Sequence, residues 1–289
     1  MMRKVAVVTD STACLPAGLI KQYGITVVPV ELTHQGRVYR DGVDITPTEV
    51  YQFLTRDKTL PTTSAPPPGA YFEAFQRLSR TAREAVVITV SSTFSHTYDS
   101  ACTAVEMARE KRLDLAVKVI DCRTAAGAHG LVVLNAARAA AAGKTMKEVL
   151  EAARTPMTSV HLIAFLDTLH YLARGGRVPQ AVAWAGNILK IKPIMQIKPG
   201  TGQASLLTKV RTRKKAIEQL LTETRKRVDS RPVRAVIMHS SCPADADYVR
   251  QRLTCEFNCT EAFVSDFTPV MGIHTGPGLL GVAFYEERN

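Results

Sequence analysis

Short apolar runs alternate with amphipathic segments through the first half of the chain. Nearly every position is apolar in three of these runs, which are KVAVVT, AVVITV and AVKVIDC. Strands buried on both faces have this composition. The segments between them repeat apolar residues at helical spacing, as in PAGLIKQY, GAYFEAFQRL and TYDSACTAVEMAREK. Alternating strands and helices predict an α/β domain built on a parallel sheet that helices cover on both faces.

Two helix starts are marked by capping boxes. In each, a threonine precedes a glutamate by three positions: Thr46 with Glu49, and Thr145 with Glu148. The threonine hydroxyl can accept from the backbone of the first turn while the glutamate caps the threonine N–H. Pro47 suits the first helical position. Helices are therefore predicted to begin at both sites.

The pattern changes after Pro156. A glycine turn, PGTG, separates IMQIK from QASLLTKV and predicts an antiparallel strand pair. Further strands separated by helices are predicted in RAVIMHS, EAFVSDF and GVAFYEE. We predict two domains, an α/β domain at 1–156 and an α+β domain at 157–289.

Composition narrows the class of protein. The 289 residues contain no apolar run long enough for a membrane span. The first apolar run stops at Thr9-Asp10-Ser11, too soon for a signal peptide, so we expect a cytoplasmic protein. None of the six cysteines forms a CxxC pair, which predicts reduced thiols and no metal site.

The net charge is +11, and its densest block is 209–227. This block predicts a helix whose apolar face carries Ala216, Ile217, Leu220 and Leu221. Three interpretations stay open: a solvated basic helix, a docking surface for an acidic protein, and a nucleic-acid surface. The block has no aromatic residue to stack on bases and no recognised binding motif, so nucleic acid is not the expected partner.

Hydroxyl side chains cluster at 9–12, 62–64 and 91–97. In an open parallel sheet, ligands bind beyond the carboxyl ends of the strands, where hydroxyls and free N–H groups suit an anion. A single Ser or Thr at such a place is more often a helix cap.

A serine hydrolase would need a base beside its nucleophile. The GxSxG motif is absent, and the neighbouring side chains of Ser95 and His96 are expected to diverge at a helix start, so a hydrolase is not the expected function.

Two glycine-containing segments are further candidate sites. Gly276, Gly278 and Gly281 spell GxGxxG, but a strand follows them, so we interpret these glycines as places of close backbone approach. In LDTLHYLARGGRVPQAVAWAGNILKIKPI, Asp167 is predicted to cap a short helix that Gly175-Gly176 ends. Arg177 is then exposed, and VPQAVAWAGNILK is a helix suited to an apolar groove or a core.

Six segments together resemble the DegV family of bacterial fatty-acid-binding proteins. In chain order they are VVTDSTACLP, PTTSAPPPGAYFEAF, ITVSSTFSHTYDSA, VIDCRTAAGAHGLVV, LDTLHYLARGGRVPQAVAWAGNILKIKPI and HTGPGLLGVAFY. The resemblance implies a parallel-sheet α/β domain and an α+β domain with one fatty acid buried between them. It also implies that a separate fatty acid kinase phosphorylates the bound acid.

The resemblance assigns roles to individual residues. It implies that Thr63, Ser95 and His274 bind the fatty-acid carboxylate and that Arg177 contacts the kinase. Ser64, Ser92, Thr97, Gly276 and Gly278 are the expected neighbours of the pocket. The chain departs from the family pattern at His96, which stands where the family has glycine, and at Ala65, which stands where it has glutamine.

The residues and the resemblance together predict a monomeric, non-enzymatic carrier of a long-chain fatty acid, with no cofactor, metal or catalytic residue. Two alternatives stay open. One is an enzyme that acts on an acyl or phosphorylated substrate through Ser95 or His274. The other is a nucleic-acid-binding module that uses the helix at 209–227.

Overall fold

The structure, a computed structural model, describes residues 3–57, 59–185 and 191–287. The strands of the first half are β1 Arg3–Asp10, β2 Thr26–Val28, β3 Glu31–His34, β4 Arg37–Arg40, β5 Thr62–Ser64, β6 Ala82–Thr89 and β7 Ala116–Asp121. Its helices are α1 Ala17–Tyr23, α2 Pro47–Arg56, α3 Pro68–Leu78, α4 Thr97–Glu110, α5 Ala126–Ala141 and α6 Met146–Met157.

The predicted parallel sheet is confirmed, with strand order β2-β1-β6-β7 and parallel pairing throughout. The apolar strands β1 and β6 lie side by side at its centre, where helices cover both faces. Both predicted capping boxes are present, so α2 and α6 begin immediately after Thr46 and Thr145.

The segment ITVVPVEL is not the single strand that its composition predicts. Pro29 lacks a backbone N–H and interrupts it, so the residues before and after it enter different sheets. Thr26–Val28 pairs with β1, whereas Glu31–His34 forms a small antiparallel sheet of order β4-β3-β5. The hydroxyl residues at 62–64 form an edge strand of this small sheet and do not follow a strand of the parallel sheet.

The second half contains a six-stranded mixed sheet of order β10-β9-β8-β13-β11-β12. Its strands are β8 His161–Phe165, β9 Lys192–Ile197, β10 Ala204–Val210, β11 Val233–His239, β12 Cys259–Asp266 and β13 Leu280–Glu286. Its helices are α7 His170–Gly175, α8 Gln180–Ala185, α9 Arg213–Arg225, α10 Pro243–Glu256 and α11 Pro269–Thr275. The predicted antiparallel pair around PGTG is confirmed as β9 and β10.

Other expectations for the second half need correction or stay open. Asp167 does not cap α7, because Leu169 occupies the cap position; the Asp167 carboxylate instead pairs with Lys192 and Arg213. The predicted helix in VPQAVAWAGNILK is seen as α8 at Gln180–Ala185, and its positions 186–190 lie outside the described residues. The domain boundary at 156 stays a prediction.

Helix α5 lies between the two large sheets. Buried residues occupy all of its sides, including Leu131, Val132, Val133 and Leu134. It packs against β1 on one side and against β11 on the other. At Gly127 an added Cβ would collide with the side chains of Val236 and Met238, so only glycine allows β11 to approach this closely.

Candidate functional site

A cavity lies between the parallel sheet and the mixed sheet, with about 1060 Å³ of space free of atoms when its solvent-filled opening is included. Most of its lining is apolar and comes from both halves of the chain. The mixed sheet contributes the alternate residues Leu162 and Ala164 of β8, because successive side chains of a strand point to opposite faces, and the residues at 195–197 of β9. Representative lining residues are Phe94, Leu162, Leu166, Leu172, Met195 and Met238.

A small polar group interrupts this apolar lining. It consists of Thr63 and Ser64 on β5, Ser95 before α4, Arg177 between α7 and α8, and His274 on α11. All three residues predicted to bind a carboxylate thus line one cavity, together with the arginine predicted to contact a kinase. Their roles in binding remain predictions.

Thr63 and His274 are in direct contact. The Thr63 hydroxyl lies 2.9 Å from Nε2 of His274. Thr63 is held in place by the pairing of β5 with β3, in which it lies opposite Leu32. His274 is held by α11, whose first turn is fixed by the Val270 N–H donating to the buried carboxylate of Asp41 at 2.9 Å.

The His274 imidazole is neutral in this environment. Burial, with a smaller contribution from the positive charge of Arg177, lowers its pKa from 6.5 to about 4. Its Nδ1 is buried and has no hydrogen-bond partner among the described residues. Gly175 lies against this nitrogen, since an added Cβ would be 2.6 Å from it. A side chain at position 175 would therefore displace the imidazole ring.

Arg177 lies between this site and the solvent. Its guanidinium is exposed and donates to the carbonyl oxygens of Gly175, at 2.9 Å, and Thr63, at 3.1 Å. The arginine therefore fixes the backbone on both sides of His274 and adds a positive charge at the edge of the cavity. The Thr63 hydroxyl and the neutral imidazole suit a carboxylate through charge-assisted hydrogen bonds, and Arg177 adds positive charge beside them.

Ser95 lines the same cavity but has a different partner. Its hydroxyl lies 2.7 Å from the hydroxyl of Thr97, which is buried at the start of α4. The neighbouring His96 points into solvent, with 92% of its side chain exposed, and pairs with Asp99 at 3.0 Å. Its larger side chain, which replaces the family glycine, therefore takes no space inside the cavity. Ala65 lines the cavity directly.

The residues of the cluster at 9–12 form hydrogen bonds within the protein. The carboxylate of Asp10, fully buried at the end of β1, accepts from the N–H of Thr12 at 3.0 Å and of Val90 at 2.9 Å. Val90 follows β6, the strand beside β1, so Asp10 occupies the place where an open parallel sheet ordinarily binds an anion. Of this cluster, Thr12 lines the cavity.

The remaining predicted neighbours lie around the cavity and not in its lining. The Ser92 hydroxyl donates to Asp121 at 2.7 Å, on the exposed side of its loop. Gly276 packs against the ring of Tyr171, and Gly278 approaches the carboxylate of Asp167. These two glycines do allow close approach, but to side chains of the β8–α7 region. Their assignment to the pocket, like that of Thr97, stays a prediction.

Sequence reasoning missed several residues that shape the site. Gly175 was interpreted only as a helix end, and Met195 and Met238 received no role. The continuous apolar run of β8 was the available signal for the lining, since a strand of this composition is covered on both faces. No sequence signal identified the contact of Gly175 with His274, because it joins distant segments.

Within 3–57, 59–185 and 191–287, no cluster of three or more His, Cys, Asp and Glu side chains is arranged to hold a metal ion. No helix in this part of the chain is both long enough and apolar enough to cross a membrane.

Comparison with known proteins gives relatives over nearly the full length. A DegV domain-containing protein of Streptomyces coelicolor is 37% identical over 287 residues, covering 98% of both chains. A fatty-acid-binding DegV family protein of Thermus thermophilus superposes with a TM-score of 0.90 at 30% identity, covering 99% of this chain and 100% of that one. DegV of Bacillus subtilis, a fatty acid binding protein, superposes with a TM-score of 0.84 at 29% identity, with the same coverage.

The family model described as "Uncharacterised protein, DegV family" matches residues 4–287. This match spans both sheets and every residue of the polar group in the cavity. The resemblance recognised in the sequence is confirmed, and the chain belongs to the DegV family.

Proposed function

We propose that this protein is a non-enzymatic carrier that holds one long-chain fatty acid in the cavity and presents its carboxylate to a fatty acid kinase. The observation that carries the proposal is one cavity that combines a long apolar lining with the Thr63, His274 and Arg177 group. The fatty-acid-binding proteins of Thermus thermophilus and Bacillus subtilis, which share this fold, support the choice of ligand.

The apolar lining supplies most of the affinity in this proposal. Each methylene transferred from water to an apolar site contributes about 0.8 kcal/mol, so a long acyl chain gains on the order of 10 kcal/mol before ordering costs. Leucine and methionine side chains suit such a ligand. Methionine adapts its shape to an irregular chain because its side chain is unbranched and flexible.

The polar group selects the headgroup. A neutral His274 can donate its single proton from Nε2 to the Thr63 hydroxyl, which leaves the Thr63 proton free to donate to a carboxylate oxygen. Ser95 offers a second hydroxyl, which like Thr63 comes from the first half of the chain. Arg177 adds positive charge close to Thr63 without being buried.

Presentation to a kinase is supported by the position of Arg177. This arginine is exposed while its guanidinium contacts the Thr63 backbone, so a protein that docked on Arg177 would meet the headgroup site directly. In the proposal, the kinase transfers the phosphoryl group to the carboxylate, and the cavity keeps the acyl phosphate away from water. The net charge of +11 suits an acidic docking face on the kinase.

The geometry does not favour a hydrolase. A serine nucleophile needs a base within hydrogen-bond reach. The Ser95 hydroxyl bonds to Thr97, the His96 side chain turns outward to Asp99, and His274 bonds to Thr63. In the basic block at 209–227, part of the charge is paired within the protein, since Arg225 and Arg227 form ion pairs with Glu256 and Glu223.

Mass spectrometry of the purified protein tests the carrier role, first under native and then under denaturing conditions. A stoichiometric fatty acid that is released on denaturation is the expected result. The second step adds ATP and a bacterial fatty acid kinase and follows phosphate transfer to the bound acid. An empty protein that also rejects added fatty acids would contradict the proposal, and a loaded protein that no kinase accepts would limit it to binding.

A further inference from the structure

Two hydroxyls of the 91–97 cluster do not serve the headgroup site. The Ser91 hydroxyl lies 2.8 Å from the Thr93 hydroxyl, which donates to the carbonyl oxygen of Gly202 at 3.1 Å. Gly202 belongs to the turn between β9 and β10, in the mixed sheet. A loop of the parallel-sheet half therefore holds the tip of a hairpin from the other half.

The contact leaves no space for a side chain at position 202. Gly202 is buried with φ +68°, and an added Cβ would lie 2.5 Å from Oγ of Ser91 and 3.0 Å from Oγ1 of Thr93. The neighbouring Gly200 has nearly the same backbone, with φ +69°, but its nearest atoms would be 3.9 Å away. Close packing against Ser91 and Thr93 thus distinguishes Gly202 from Gly200.

The residues at the base of this hairpin line the cavity beside Leu162, at the opposite end of the β8 lining from α7, the helix that ends at Gly175 next to His274. Ile197 and Ala204 are paired residues immediately before and after the turn, and both line the cavity. Ile197 also pairs with Leu162, whereas Leu166 lies at the opposite end of the β8 lining, next to α7 and the Arg177 site. Leu166 is four positions after Leu162 along this extended segment, a distance of about 13 Å.

We propose that the clasp formed by Ser91, Thr93 and Gly202 closes the far end of the cavity and sets the longest acyl chain that the protein retains. This inference rests on the proposed fatty-acid carrier function and adds the residues that select chain length. The headgroup is fixed by Thr63 and His274, so a longer acid must extend toward Ile197 and Ala204. The hairpin held by this clasp blocks a longer acyl chain at that end.

The experiment compares Gly202→Ala with Gly200→Ala, using palmitate and the longer behenate as ligands of the delipidated protein. Gly202→Ala should push the hairpin away from Ser91 and raise the affinity for behenate relative to palmitate by about tenfold, because each methylene that gains an apolar place is worth about fourfold. Gly200→Ala imposes the same left-handed strain without the collision and should leave this ratio unchanged.

Two further variants keep the test independent of how Gly202→Ala folds. Thr93→Val removes the hydrogen bond to Gly202 and should raise the ratio, whereas Ala204→Phe fills the closed end and should lower it. If all these variants bind palmitate and keep the wild-type ratio of behenate to palmitate affinity, the clasp proposal is wrong and the carrier function stands. An equal shift in the Gly202 and Gly200 variants overturns it as well. A wild-type protein that binds neither acid refutes the carrier function itself.

Discussion

The Thr63 hydroxyl and the His274 imidazole are hydrogen-bonded at 2.9 Å although 211 positions separate them in the chain. One residue belongs to the small antiparallel sheet and the other to α11 of the second half. Their contact forms the polar end of an apolar cavity. His274 orients the Thr63 hydroxyl, and this same hydroxyl is the one available to a carboxylate.

Replacing Thr63 by valine tests this pair. The substitution keeps the shape and removes the hydroxyl, so fatty-acid affinity should fall about ten- to hundredfold, the usual worth of a hydrogen bond to a charged group. Titration calorimetry with palmitate measures the loss, and the matching alcohol, which lacks the carboxylate, should lose much less. Thr62→Val is the control, because Thr62 is exposed and lies outside the cavity lining. Equal affinities in the two variants would remove Thr63 from the site.

Gly175→Ala should weaken binding through His274. The new methyl group would lie 2.6 Å from Nδ1, so the ring must move away from Thr63. Palmitate affinity should fall by about tenfold or more, the cost of one misplaced charge-assisted hydrogen bond. Gly69→Ala is the matched control, since a Cβ at that helical glycine meets nothing within 4 Å. An unchanged affinity in both variants would show that the imidazole has room to adjust.

Arg177→Ala should separate binding from phosphorylation. Because Arg177 is exposed and contacts backbone oxygens, its loss should leave palmitate bound while transfer of phosphate by a kinase falls sharply. Removal of its charge should also raise the pKa of His274, which NMR titration of the imidazole can follow. Loss of the ligand from this variant would instead place Arg177 among the carboxylate-binding groups.

The lowered pKa of His274 predicts a pH-dependent free energy of unfolding for the ligand-free protein. The unfolded chain binds a proton near pH 6.5 and the folded chain near pH 4, so stability falls as the pH drops through this interval. Above pH 6.5 the residue contributes no pH dependence. The loss reaches about 3 kcal/mol at its acidic limit, at about 1.4 kcal/mol per pH unit.

Urea unfolding of wild type and His274→Gln at pH values across this interval isolates the contribution. Other buried histidines, such as His129 and His161, titrate in both proteins and cancel in the comparison. The variant should lose less stability than wild type on acidification. Parallel losses in the two proteins would show that His274 is not the group responsible.

His96→Gly should change little. The His96 side chain is 92% exposed and turned toward Asp99, so the return to the family glycine gives the ligand no new space. Palmitate affinity should stay within about twofold of wild type, as surface substitutions usually change free energies by less than 0.5 kcal/mol. A marked gain in affinity would mean that His96 turns inward when the ligand binds.

The architecture could be predicted well from local patterns. Buried parallel strands and capped helices carry their signals within a few residues, and the strands at Arg3–Asp10 and Ala82–Thr89 and the caps at Thr46 and Thr145 show them. The prediction failed where one apolar run serves two sheets. In ITVVPVEL, Pro29 marks the break, but the partners of each half become visible only when the sheets are assembled.

The site was predictable in part. Hydroxyl clusters marked the carboxyl end of the sheet, but sequence could not tell which hydroxyls find partners inside the protein. Asp10 takes the N–H groups near Thr12, and Thr93 bonds to Gly202. Asp167 likewise resembled a helix cap, yet it pairs with Arg213, which lies 46 positions away. The grouping of Thr63, Ser95 and His274 came from the family resemblance, because such long-range contacts leave no local pattern.

The position of α5 has a consequence for how the protein unfolds. The helix is buried from Ala126 to Ala137 except at Asn135 and packs against β1 and β11 at once, and one continuous apolar cluster includes residues from Val5 to Tyr285. Neither half can lose its structure without exposing the alanine-rich surface on which the other half is packed. The two sheets therefore form one cooperative folding unit, which should denature in a single transition, and a fragment ending near 156 should not fold as a stable protein.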